Sequence, residues 1–328
     1  MTIGRTSIAA VASAAAILLL GPTAALAQTK WDLATAYPAG NFHTVTINDF
    51  AAEVDRASGG KLKITVHANA SLFKAPEIKR AVQTGSAQAG EILLVNFQNE
   101  WQIFGADGIP FLADSYDSAM KLYRAQKPLL ERKLAEQGLM LLYSVPWPPQ
   151  GLYSKRAVNN AVDLKGIKWR AYSPATARIG ELVGAQPVTI QAAEVSQAFA
   201  TGVVESMMSS GATGWDAKLH EHVKHYYDLQ AWLPKNAVIV SKRAFDALDK
   251  ATQDIVLRAA AAAEQKGWDA SRRANTDTLD KLKGGGMAIL QPSAALKADM
   301  QKVGQTLLNE WLDRAGPEGR QLVDAFRR

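Results

Sequence analysis

The sequence predicts an α/β protein of two lobes, each on a doubly wound sheet, with one long helix laid across both. Three observations predict it. Strand-like and helix-like segments alternate from Trp31 to the end of the chain, as in βαβ units and parallel sheets. The alternation restarts after the rigid turn Trp147-Pro148-Pro149-Gln150-Gly151, so there are two such units. Asp249 to Lys283 reads as one helix, with a bend near Gly267; at 1.5 Å per residue it is about 50 Å long, more than one small domain spans. These observations put lobe I at 28–147 plus about 236–275, and lobe II at 148–235 plus about 276–328. Two lobes and a spine suggest hinge closure around a ligand.

The elements follow in order. Trp31-Asp32-Leu33-Ala34 opens as a strand. Ile47, Phe50, Ala51 and Val54 recur at helical spacing until Ser58-Gly59-Gly60 stops them. LKITVHAN alternates, turning Leu62, Ile64 and Val66 to a core and leaving His67 on the polar face. KAPEIKRAVQTG is a helix with Pro76 near its start and Gly85 at its stop. GEILLVNF is an apolar run of buried-strand type. Asp114 opens a helix through Ala125, and Pro128 opens another. LMLLYSV is a strand ended by the turn at Trp147.

Beyond the turn, LYSKRAV and GIKWRAY are strands. A helix from Ser173 to Val183 stops at Gly184, and QPVTI is the next strand. AAEVSQAFATG is a helix, VVESMMSS a strand, and GWDAKLHEHVKHYY a helix. AVIVSK, the long helix, the stop Gly284-Gly285-Gly286, the strand MAILQP and helices through Arg328 complete the chain.

The first 27 residues are read as an export signal. Arg5 precedes the apolar run Ile8 to Leu20; Gly21-Pro22 breaks it, and Ala25-Leu26-Ala27 is a cleavage site. The run is too short for a membrane span. No cysteine follows the site to carry a lipid. The 328 residues contain no cysteine at all, which excludes disulfides, thiolate catalysis and Cys-ligated zinc. An exported chain without disulfides fits the bacterial periplasm. The net charge of +6 is spread among acids, which argues against a nucleic-acid partner. A monomer is the default expectation.

Chemistry is scarce. His220-Glu221-His222-Val223-Lys224-His225 lacks the second histidine of a zincin, because Lys224 stands in its place. MMSSGATG has the wrong glycine spacing for a nucleophile elbow. The three glycines at 284–286 lead into a strand, not a helix, and so do not cradle phosphate. No catalytic set, metal site or cofactor is expected.

One polar residue stands out. In GIKWRAYSPA, Ile167, Trp169 and Ala171 alternate with Lys168, Arg170 and Tyr172, and Ser173-Pro174 begins a helix. Arg170 therefore sits near the carboxyl end of a strand, where α/β sheets bind ligands. The plainer alternative is an exposed arginine in a surface salt bridge. Trp147, Trp169 and Trp215 fall in segments expected to reach the cleft. Aromatic walls with a few fixed polar groups are the usual make-up of small-molecule sites.

Together, DLKGIKWRAYSPA, LVGAQPVTIQAAEVSQAFATGVVES, KLKITVHAN and AVIVSKRAFDAL resemble a TRAP (tripartite ATP-independent periplasmic) transporter solute-binding protein across the whole mature chain. The resemblance implies a type II-like periplasmic binding protein, a small organic acid as ligand and a membrane permease as partner. It implies that Arg170 grips the ligand carboxylate, with Trp147, Gln150, Ser209 and Ser210 from neighbouring strand ends. Trp169, Tyr172 and Trp215 are taken as the aromatic wall. Phe42, His43, Glu91 and Asn96 are the weaker first-lobe choices, each equally open to a structural role.

ESMMSSGATG lacks the amide-rich run of sugar-acid binders, and Gln150 stands where some members have a second arginine. The expected ligand is thus an aromatic 2-oxo or 2-hydroxy monocarboxylate, of benzoylformate or mandelate type. Uronates and C4-dicarboxylates are the alternative ligands. A periplasmic hydrolase and a sensory binding component are the alternative functions.

Overall fold

The computed structural model describes residues 1–2 and 28–328. The apolar run and cleavage site of the export signal lie outside the described residues. Two mixed sheets, each covered by helices, form the two lobes.

The first sheet has the order β2-β1-β3-β10-β4: β1 (Thr29–Ala34), β2 (Leu62–His67), β3 (Ala89–Leu93), β4 (Leu139–Pro146) and β10 (Lys235–Ser241). The second has the order β11-β9-β5-β8-β6-β7: β5 (Gly151–Ser154), β6 (Lys168–Ala171), β7 (Gln186–Thr189), β8 (Ser206–Ser209), β9 (His225–Tyr227) and β11 (Ala288–Leu290). Neither sheet is wholly parallel, as the βαβ pattern had suggested. β10 is antiparallel to β3 and β4, and β5 is antiparallel to β8 and β9. The cause is connectivity. β5 and β10 are the strands that arrive straight from the other lobe, without a crossover helix to reverse their direction.

The two crossings, 147–150 and 228–234, pair with each other. The Trp147 N–H donates to the Pro234 carbonyl (2.8 Å), and the Gln150 N–H to that of Trp232 (2.9 Å). Beneath them the Lys235 ammonium meets the Asp107 carboxylate at 3.1 Å, and Asp107 also accepts the Lys235 backbone N–H. Burial pushes the Asp107 carboxyl up and the Lys235 ammonium down in pKa.

Most helices form where periodicity placed them. α1 (Phe42–Ala57) is capped by Asn41 and buries Ile47, Phe50, Ala51 and Val54. α2 (Ala75–Thr84) ends at Gly85 in the left-handed region. α4 (Pro174–Leu182) is capped by Ser173, and α5 (Val195–Ala200) and α7 (Lys242–Asp246) are short.

Some expectations fail. GEILLVNF is a strand only to Leu93; Leu94–Phe97 turns as a 3₁₀-helix. The two helices expected around Pro128 are one, α3 (Tyr116–Glu136). Its face of Leu122, Tyr123, Gln126, Leu130 and Leu134 stays buried through the proline, and that packing outweighs one lost backbone hydrogen bond. The helix expected from Gly214 to Tyr227 is broken into α6 (Gly211–Asp216), a 3₁₀ turn at Leu219–Glu221, and β9. β9 forms because β5 and β11 offer it backbone partners on both sides.

α8 (Lys250–Gly284) runs unbroken through Gly267 for 35 residues. Gly267 is an approach point to β4: a side chain there would collide with Val145. α8 buries Val256, Ala259 and Ala263 in the first-lobe core and Leu282 in the second. α9 (Ala294–Arg327) is kinked at Gly316. Its first half packs Leu296, Met300 and Val303 into the second lobe. Its second half, read above with 276–328 as lobe II, packs Trp311, Leu322 and Phe326 against Ile103, Ala106 and Leu122 beside the first sheet.

Candidate functional site

The parallel strands of both sheets point their carboxyl ends at the gap between the lobes, and a cleft lies there. It is lined by residues just past β1 (Ala36, Tyr37), in and after β3 (Glu91, Leu93, Asn96) and in the first crossing (Trp147, Gln150). The second lobe adds Arg170 and Tyr172 at the end of β6, and Ser209 and Thr213 at the end of β8. A water-sized sphere can reach about 50 Å³ of space inside the cleft.

Arg170 is 3% exposed, so the surface-salt-bridge reading fails. Its Nε donates to the Ile190 carbonyl at 2.9 Å, and one terminal nitrogen lies 4.0 Å from the Met207 sulfur. The guanidinium lies 4.9 Å from the centre of the Tyr172 ring. Among the described residues no carboxylate stands within 4.0 Å of it. Burial pulls its pKa down to about 10, so it remains a cation at neutral pH, with no counter-charge.

The opposite wall centres on Glu91, also 3% exposed. One carboxylate oxygen accepts the Thr35 hydroxyl at 2.5 Å. The other accepts the Asn236 amide at 2.8 Å and lies 3.2 Å from His43 Nδ1. The Trp147 indole N–H (3.0 Å) and the Tyr37 hydroxyl (3.4 Å) both donate to Asn236 Oδ1, which fixes the amide orientation. Tyr37 lies in the field of both charged residues. Burial and then the Glu91 charge push its phenol up, and the Arg170 charge opposes them. Asn96 lines the same cleft with a buried Oδ1 that has no partner.

Gln150 donates to the Pro148 carbonyl (2.9 Å) and accepts from the Tyr172 hydroxyl at 3.4 Å. At the mouth, Asn41 Nδ2 donates to the Asp216 carboxylate at 2.6 Å, joining the start of α1 in the first lobe to the end of α6 in the second. Asn41 Oδ1 meanwhile caps α1 through the His43 N–H.

Of the residues expected at the site, Trp147, Gln150, Arg170, Tyr172, Ser209, Glu91 and Asn96 share this cleft. Five others do not line it. Trp169 is fully buried in the second-lobe core, with its indole N–H on the Thr176 carbonyl at 2.9 Å. Strand alternation turns it away from the face that carries Arg170. Ser210 caps α6 by accepting the Thr213 N–H. Trp215 is 36% exposed and stacks on His220 in a separate groove beside α8. His43 and Phe42 form the layer behind Trp147, with ring centres 4.5 and 5.5 Å from it. Tyr37, Thr35 and Asn236 were missed, because no local motif marks them. Nor is His67 simply exposed; it pairs with Asp32 at 2.7 Å. Among the described residues no group of three His, Asp or Glu is placed to hold a metal ion, and no helix is long and apolar enough to cross a membrane.

The family model matching this chain is that of bacterial extracellular solute-binding protein, family 7, over residues 33–314. Among solved structures, the chain is 58% identical to DctP6 of Bordetella pertussis, an extracytoplasmic solute receptor binding pyroglutamic acid. That match covers 91% of this chain and 99% of the receptor, with a TM-score of 0.90. DctP7 of the same organism, also binding pyroglutamic acid, is 42% identical over 92% and 100% of the chains, again at 0.90. A marine metagenome TRAP solute-binding protein specific for pyroglutamate is 40% identical over 92% and 99%, also at 0.90.

Proposed function

This chain belongs to family 7 of the bacterial extracellular solute-binding proteins, the receptors of TRAP transporters, and we propose that its ligand is pyroglutamate or a close lactam acid. The observation that carries the reading is Arg170, a buried cation in the cleft with no counter-ion. A ligand carboxylate supplies the missing charge through two parallel N–H···O bonds. Gln150 and Ser209 flank that carboxylate, and Tyr172 covers it. The ring lies against Tyr37 and Trp147, and Asn96 and Glu91 serve its lactam. Similarity to three pyroglutamate receptors, at 40–58% identity, supports this ligand.

An aromatic 2-oxo or 2-hydroxy monocarboxylate is the second reading, favoured by the aromatic faces of Tyr37, Trp147 and Tyr172. A C4-dicarboxylate fits less well, since the far wall offers the Glu91 carboxylate where a second cation is needed. The receptor works outside the cytoplasm. We assign it to the periplasm after cleavage behind Ala27, with closure of 28–147 plus 236–275, and the end of α9 packed on it, on 148–235 plus the rest of 276–328. The closed form passes the acid unchanged to the membrane permease.

The test is calorimetry on mature protein stripped of co-purified ligand by unfolding and refolding. Pyroglutamate is expected to bind far more tightly than benzoylformate, mandelate, succinate or glucuronate. Preference for benzoylformate selects the second reading. Binding of none of them overturns the carboxylate-receptor assignment.

A further inference from the structure

We infer that Glu91 determines specificity by accepting a hydrogen bond from a ligand N–H, so that the site selects a lactam against an oxygen-ring isostere. The inference rests on the lactam-acid reading above and goes beyond it. It names the group that reads the ring nitrogen.

Glu91 is the one carboxylate among the described residues that line the cleft. Thr35 and Asn236 each donate to one of its oxygens, and His43 Nδ1 lies 3.2 Å from the second. A carboxylate offers about four acceptor positions in all. Two are taken by Thr35 and Asn236, and Glu91 lines the cleft, so an acceptor position is left for a ligand. Only a donor can occupy it, because Thr35 and Asn236 already hold the oxygens as acceptors. Trp147 and Tyr37 lock Asn236, so the carboxylate cannot swing away to accommodate an acceptor.

Arg170 and Glu91 line the same cleft from opposite lobes, with Tyr37 beside them. A ligand spanning them needs an anion at one end and an N–H a few ångströms away, and a five-membered lactam acid has both on adjacent ring atoms. Replacing N–H by O sets a ring oxygen against a carboxylate oxygen, acceptor against acceptor. A site built around a buried hydrogen bond rejects the analogue that lacks the donor, because its own polar group is then stranded.

The experiment compares three ligands on wild-type protein: pyroglutamate, the γ-lactone 5-oxotetrahydrofuran-2-carboxylate, and 3-oxocyclopentane-1-carboxylate. Both analogues keep the carboxylate and ring size. Each is expected to bind about 10–100-fold more weakly than the lactam. In Glu91→Gln the amide can turn its N–H toward a ring oxygen, so the lactam-to-lactone ratio is expected to fall at least fivefold. A merely structural role for Glu91 weakens all three ligands alike and leaves the ratio unchanged. Equal affinity of wild type for lactam and lactone overturns the inference while leaving the carboxylate-receptor reading intact. Failure of pyroglutamate itself to bind overturns the reading on which the inference stands. The wild-type comparison decides the matter even if the variant does not fold.

Discussion

On the second-lobe wall of the cleft, Arg170 is buried with a carbonyl, a thioether and an aromatic face for company. On the first-lobe wall, Glu91 is buried equally deeply but is held by two donors, with His43 beside it. Both oxygens of the Glu91 carboxylate hold a donor before any ligand arrives; the Arg170 guanidinium has no carboxylate beside it. Burying an ion without a partner costs several kcal/mol, so the free protein carries a cost that a carboxylate removes. The contrast extends along the chain. Arg178, eight residues on, is paired with Glu181 and Glu310 at 2.8 Å and its pKa is raised, whereas that of Arg170 is lowered. The lesson is a division of labour. The Glu91 wall is a template that reads the ligand, and the Arg170 wall supplies the affinity that favours closure, since a ligand shifts such an equilibrium only by its differential affinity.

The largest expected effect comes from removing the Arg170 charge. Arg170→Met should cost about 3–5 kcal/mol of binding, more than a hundredfold in Kd. The unliganded variant should melt at least about 2 °C above wild type, because an unpaired buried charge has gone. A lower melting point without ligand would show that Ile190 and Tyr172 already satisfy the guanidinium. The same contrast sets the pH profile. Arg170 loses its proton only as pH rises through about 10, and a ligand carboxylate is ionised above about pH 4. Affinity should therefore be level between about pH 5 and 9, and fall as pH climbs beyond that. Calorimetry across the range checks it.

A smaller effect is expected from loosening the template. Trp147→Phe removes the indole N–H from Asn236 and should weaken binding about fivefold, roughly one hydrogen bond. The unliganded melting point should move less than that of a core variant. Smaller again is the contact at the mouth. Asp216→Ala breaks the bond from Asn41 across the lobes and should raise the dissociation rate about threefold, with ligand preference unchanged. Stopped-flow kinetics reads the rate; an unaltered rate would show that this contact does not hold the closed form. Trp169→Phe should leave Kd unchanged while costing about 1 kcal/mol of stability, because it removes the indole hydrogen bond to the Thr176 carbonyl in the core. A change in its affinity would break the separation of wall from core.

Much of the site could be read in the chain because strand periodicity is local. The alternation in GIKWRAY put Arg170 on one face near a strand end, and the family resemblance supplied its role. The same alternation puts Trp169 on the other face, so proximity in sequence was a poor guide to proximity in the cleft. Tyr37 and Asn236 were out of reach: 199 positions separate them, and only the insertion of β10 between β3 and β4 brings Asn236 to Glu91. β9 was misread as helix because its strand character comes from β5 and β11, not from itself.

By itself, then, the sequence determined what depends on near neighbours. That includes the α/β class with two lobes, most helix starts through caps such as Asn41, Ser173 and Asp249, and the placing of Arg170. Only the tertiary structure decided that this arginine has no carboxylate beside it and that Glu91 has a donor on each oxygen. It also decided that both sheets carry one antiparallel strand from the opposite lobe. Periodicity and capping act within one turn or a few residues, whereas charge compensation and strand direction depend on which distant segments come to lie alongside.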